Sequence, residues 1–179
     1  MTLFLCIGLY CTISDLDHFA SLIINDKQSH EYLMDYKPYK LNVNEESTRF
    51  QFQSIGKRGI FEKVISIKPF SKSVQNLALL DYDPITNEES DISITDNGDM
   101  PEVLATTLMA INMFFEKYPD QFIYFKGSTK SRTRLYQISI NKAYSDIQNN
   151  LVIYGWCNEG WKNFEPTLSF ESFLLGKRS

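Results

Sequence analysis

Residues 49–54 read RFQFQS, which puts Phe50 and Phe52 on one side of an extended chain and Gln51 and Gln53 on the other. Successive side chains of a strand point to opposite faces, so this alternation calls for a sheet with one face covered. Gly56-Lys57-Arg58-Gly59 comes next, and its two glycines suit a tight turn. Residues 60–68 are again rich in strand formers, so the two runs predict an antiparallel hairpin that Pro69 ends. Residues 74–82 (VQNLALLDY) are more continuously apolar, as a central strand requires.

Two later stretches have the helical period. Leu104, Leu108, Ile111, Phe115 and Tyr118 predict a helix that ends at Tyr118-Pro119-Asp120. Its start carries Asn97-Gly98, a turn signal, and Asp99 three residues before Glu102, which fits a capping box. Pro101 falls in the first turn, where a missing N–H costs nothing. Tyr136, Ile140, Ala143 and Ile147 predict a second helix over 131–147. Strands are expected at 92–94, 122–126 and 151–157, an acidic loop at 83–90 and a short helix at 167–175. The order β-β-β-α-β-α-β describes a single α+β domain: a mainly antiparallel sheet with two helices on one face.

The chain's 179 residues are 43% apolar and 14% aromatic, enough for one real core and too hydrophobic for disorder. The net charge of −4 excludes a uniformly basic nucleic-acid binder, yet it hides a segregation. From residue 73 to 116 there are nine acids and no Lys or Arg, and from 121 to 145 there are five bases and no acid.

Residues 3–13 (LFLCIGLYCTI) form an apolar run too short to span a bilayer, and no basic residue precedes Lys27 as a secretory leader requires. Either this run covers the core or it precedes the true start. Met34 opens a plausible chain, so residues 1–33 are read as an N-terminal extension and 34–179 as the domain. On that reading Cys6, Cys11, His18 and His30 are dispensable, which leaves Cys157 as a reduced thiol of a cytoplasmic protein. No metal site and no cofactor is expected, because no Cys or His has ligand spacing.

The strongest chemical signal is KGSTKSRTRLY at 126–136, placed strand–turn–helix. Gly127 permits close backbone approach, Ser128, Thr129 and Ser131 supply hydroxyls, and a helix start offers N–H groups to an anion. Lys126, Arg132 and Arg134 add positive charge, and the guanidinium forks suit phosphate. Two positions apart, Arg132 and Arg134 point to different sides unless the first turn is loosely wound. Tyr136 closes the segment. The alternative is that the hydroxyls cap the helix and the bases are solvated. The segment lacks the second glycine of a phosphate-binding loop.

The second signal is Asn97-Gly98-Asp99, a turn with an N-cap, or else Asp99 as a general base or as a metal ligand with Asp96, and Asn97 on the bound ligand. If strand 122–126 returns antiparallel beneath the first helix, the acidic and basic turns share one end of the domain. Tyr154, Trp156, Trp161 and Phe164 suit either base stacking or a core. A faint likeness of Gly127-Ser128 with Ser145-Asp146 to nucleotidyltransferases lacks the paired carboxylates on 151–157 that those enzymes need.

Asn97-Gly98-Asp99, Val103-Leu104-Ala105-Thr106, Tyr118-Pro119, Gly127-Ser128-Thr129 and Arg132-Thr133-Arg134-Leu135-Tyr136 together resemble a family of small bacterial proteins known only as a domain of unknown function. The resemblance covers roughly 36–157, with Thr107 standing where a Val is expected, and it implies a start near Met34. It implies no activity, cofactor or catalytic residue.

The leading reading is therefore a binding module that takes a phosphate-bearing ligand, a nucleotide or RNA, at Asn97, Lys126, Gly127, Ser128, Thr129, Ser131, Arg132, Arg134 and Tyr136. Its rivals are a small nuclease or phosphotransferase of a defence or toxin-like system that uses Asp99, and an interaction protein whose acidic 81–91 loop docks a basic partner. No membrane association is expected, and the sequence leaves the oligomeric state open.

Overall fold

A computed structural model describes residues 36–91 and 96–178. The expectations for residues 1–33, with their two Cys and two His, and for the strand at 92–94 lie outside the described residues. The strands are β1 (Asn42–Val43), β2 (Arg49–Gly56), β3 (Gly59–Pro69), β4 (Val74–Asp83), β5 (Glu88–Ser90), β6 (Phe122–Phe125), β7 (Leu151–Cys157), β8 (Gly160–Asn163) and β9 (Ser172–Lys177). The helices are α1 (Met100–Lys117) and α2 (Lys130–Ile147). All nine strands form one sheet in the order β1-β2-β3-β4-β6-β9-β7-β8, with β5 paired to β4.

The hairpin forms as the alternation requires. Phe50 lies opposite Ile65 and Ile65 opposite Leu79, so the three share one face. That face continues through Ile123, Leu175 and Ile153 and is covered by α1 and α2 in one core. Phe50, Phe114, Phe115 and Phe173 are each at most 2% exposed, and they anchor it. Truncating such a phenylalanine to alanine typically costs about 3–5 kcal/mol.

The sheet is mainly antiparallel, but both helices serve parallel crossovers. β6 pairs parallel to β4, and β9 lies antiparallel between β6 and β7, which makes β7 parallel to β6. Both crossovers step the same way across the sheet. Crossovers of one hand that step in one direction put their helices on the same face. The helices therefore run side by side and start at the same end.

Three expectations need correction. Residues 151–157 are not the last strand, and 167–175 holds no helix: Ser172–Lys177 is β9, inserted between β6 and β7. Phe173, Leu174 and Leu175 are consecutive and all buried, because an interior strand covered on both faces has no alternation to read. Glu88–Ser90 is not loop but β5, hydrogen-bonded back onto β4. The buried side of α1 carries Val103, Ala110, Ile111, Phe114 and Phe115, while Leu104 and Leu108 turn sideways toward α2.

Candidate functional site

The acidic turn is a lock between distant segments. Asp99 is buried, and its Oδ2 accepts hydrogen bonds from Ser54 Oγ at 2.6 Å and the Tyr39 hydroxyl at 2.8 Å. It makes no side-chain bond to the start of α1, so the expected capping box does not form. The carboxylate is drawn instead to two hydroxyls, of which that of Ser54 is fully buried and needs an acceptor. The Tyr39 hydroxyl accepts the Ile55 N–H, and the Tyr39 N–H donates to Thr106 Oγ1 on α1. Burial, with Asp99 beside it, holds the Tyr39 phenol above its ordinary pKa, and the Ile55 carbonyl contact counts in the other direction.

Asn97 is equally committed. Its Nδ2 donates to Ser54 Oγ and the Gly59 carbonyl, while its Oδ1 accepts the Arg58 N–H and its backbone carbonyl the Lys57 N–H. A Cβ on Gly56 would lie 2.2 Å from the Asn97 carbonyl oxygen, so the hairpin must carry glycine there for the two turns to meet. Asp96 pairs with Lys57 and Arg58 at 3.3 and 3.2 Å. The bases that answer the acidic turn are therefore those of the β2–β3 hairpin, not those of 126–134.

The basic turn is built differently. Gly127 donates its N–H to Thr133 Oγ1, and a Cβ there would sit 2.3 Å from the Thr133 backbone N. Its glycine lets the turn close onto its own helix. Thr129 caps α2 by accepting the Arg132 N–H at 3.2 Å. Ser128 Oγ accepts from the Arg132 guanidinium at 2.9 Å and lies 3.4 Å from the Asp91 carbonyl. Lys126, Lys130, Ser131 and Arg134 are exposed, and among the described residues neither Lys126, Lys130 nor Arg134 makes an ion pair. The first turn of α2 contains no acid. Tyr136 sits edge-on to Phe125, its centroid 5.9 Å away, and burial raises its pKa against the pull of the Arg132 charge.

Register brings the two turns to one end. β6 runs parallel to β4, so Gly127 leaves the sheet at the end where β4 finishes and the β2–β3 hairpin turns. Asn97 and Asp99 are tied to that hairpin. Open sheets of parallel strands present their ligand crevices outside the carboxyl ends of those strands.

Between the helices lies a trough of about 330 Å³, floored by Leu77, Leu79 and Leu175 and walled by Leu108 of α1 and Ile140 of α2. Sequence periodicity marked its walls only as core. Tyr39, Ser54 and Thr106 were missed because their partners lie 45–67 residues away in sequence, where no local signal reaches.

Other candidates resolve simply. In the acidic 81–91 segment, Asp81 pairs with Lys63, Glu89 with Arg49, and Asp83 caps its own turn at the Ile85 N–H. Phe164 belongs to the main core, and Tyr154 and Trp161 pack on the cluster of Val74, Phe122 and Leu174 on the opposite face. Cys157 is a free, half-buried thiol. Among the described residues no three His, Cys, Asp or Glu side chains gather as a metal site, and no helix is long and apolar enough to cross a membrane.

A family of unknown function (DUF6934) matches residues 35–178, so the match runs past the 36–157 suggested by the motifs to include β8 and β9. No curated protein and no solved structure matches.

Proposed function

The chain belongs to this family of unknown function, and we propose that it is a binding module for a phosphate-bearing ligand, a nucleotide or RNA, held at the start of α2. One observation carries the reading. Lys130 and Arg132 fall in the first turn of α2, with Lys126 and Arg134 beside them and no acid among them. A helix start is the positive end of the helix dipole, so cations there cost stability and do not add it. Lys130 breaks that local rule without an ion pair among the described residues, which points to function.

The roles follow from the geometry. Thr129 takes the Arg132 N–H, and the N–H groups of Lys130 and Ser131 stay at the exposed helix start for an anion. Ser128 orients the Arg132 fork. Lys126, Lys130 and Arg134 add charge that is not engaged in ion pairs among the described residues. A nucleotide or RNA ligand fits the cytoplasmic location expected from the sequence.

The test is a titration with a labelled short RNA and with a nucleotide at ~50 and ~200 mM salt, where phosphate contacts must weaken as salt rises. Arg132→Ala with Arg134→Ala should lower affinity about tenfold or more, as expected for lost charge-assisted bonds. Unchanged binding of both probes at the lower salt overturns the reading.

A further inference from the structure

The trough between α1 and α2 is a second feature that the phosphate reading does not use. Its lining is almost wholly apolar. The two aliphatic hydroxyls on its walls are spent on their own helices, Thr107 Oγ1 donating to the Val103 carbonyl at 2.8 Å and Ser139 Oγ to the Leu135 carbonyl at 2.7 Å, which leaves the phenols of Tyr36 and Tyr136. Water placed there would find few partners, and a stable buried water needs two to four. The apolar character reaches the surface, where Met100, Leu135 and Ile138 on the rim are 43%, 46% and 41% exposed.

Shape and charge narrow the occupant. The lining runs from Met100 to Ile111 on α1 and from Leu135 to Ile147 on α2, which is roughly 16–18 Å at ~1.5 Å per residue. A trough of about 330 Å³ along that length has room for one extended, flexible chain. At ~30 Å³ per water-sized group it holds about eleven such groups, and a methylene is of similar size. Among the described residues Lys142 is the one charged residue in the lining, and it is exposed and makes no ion pair there. Among the described residues no acid lines the trough.

We propose that the trough binds a single-chain carboxylate, a fatty-acyl anion of about ten carbons, its tail between the helices and its head at Lys142. The tail supplies the affinity and the ammonium selects the charged head. The trough shares Tyr136 with the phosphate site, but neither Arg132 nor Arg134 is among its lining residues, so the two readings are tested by different substitutions.

The full chain is titrated with butanoate, hexanoate, octanoate, decanoate and tetradecanoate, and with the neutral 1-decanol. Affinity should rise about fourfold per added methylene up to about ten carbons and then level off as the trough fills. Lys142→Ala should weaken decanoate about two- to fivefold, as for an exposed ion pair, and leave 1-decanol unchanged. Leu108→Trp should abolish binding of both, and Ser139→Phe repeats the block from the rim should Leu108→Trp fail to fold. Arg132→Ala with Arg134→Ala should leave decanoate binding intact. Affinity independent of chain length, unchanged binding in a folded blocking variant, or loss on removing the α2 arginines but not Lys142 overturns the proposal.

Discussion

Helices α1 and α2 are each 18 residues long, lie on the same face and start at the same end of the sheet, yet their starts are built on opposite plans. At α1 the preceding carboxylate ignores its own helix and reaches Ser54 and Tyr39, 45 and 60 residues away. At α2 the preceding hydroxyl bonds three residues on, and the turn closes upon itself. The residue before the first start, Asp99, is buried and that helix has Glu102 in its first turn, whereas Thr129 is exposed and its helix has bases in its first turn. Side chains engaged by distant segments hold the fold, and side chains needed only locally leave their charge for solvent or a ligand. Motif strength therefore does not rank the two turns: the turn with the stronger capping signature is the one whose cap does not form.

The comparison is broken most directly at Asp99. Asp99→Ala removes one acceptor from two hydroxyls and leaves both in a region where Ser54 is fully buried. An abandoned buried donor costs about 1–3 kcal/mol, and the Tyr39 hydroxyl keeps its Ile55 partners, so the variant should lose about 2 kcal/mol in urea unfolding. The equivalent change at the other start, Thr129→Ala, removes a purely local cap and should cost about 1 kcal/mol. A Thr129→Ala loss equal to or larger than that of Asp99→Ala would mean that the acidic turn is no lock.

The same contrast governs what the sequence could reveal. The hairpin at Phe50 and Phe52, both helices and the stripe of Ile140, Ala143 and Ile147 were legible because their partners follow a local period. The turn at Thr129 was legible as a cap for the same reason. β9 was not, since three consecutive buried residues carry no period. The lock at Asp99 was half legible. The turn and the acid were visible, but Tyr39 lies before β1 with no neighbouring pattern to mark it, and Thr106 looks like any helix residue. The bases at Lys57 and Arg58 were seen as a turn, while their pairing with Asp96 needed the fold. For the trough, periodicity identified Leu108 and Ile140 as inward-facing residues, but it could not show that the helices stand apart by the volume between them.

The smallest effect is the most discriminating, because its sign differs between the two plans. Lys130→Glu puts an acid at the positive end of α2 in place of a cation that makes no ion pair among the described residues. If Lys130 serves only the fold, this change disturbs it. If its charge is held there against the helix dipole, the variant gains about 0.3–1 kcal/mol in unfolding. On the phosphate reading the same variant binds RNA or nucleotide more weakly, since an acid now faces the anion. A protein made more stable and less able to bind by one exposed substitution separates the two roles at one residue. A variant that loses stability instead would place the start of α2 with that of α1, among the parts that hold the fold.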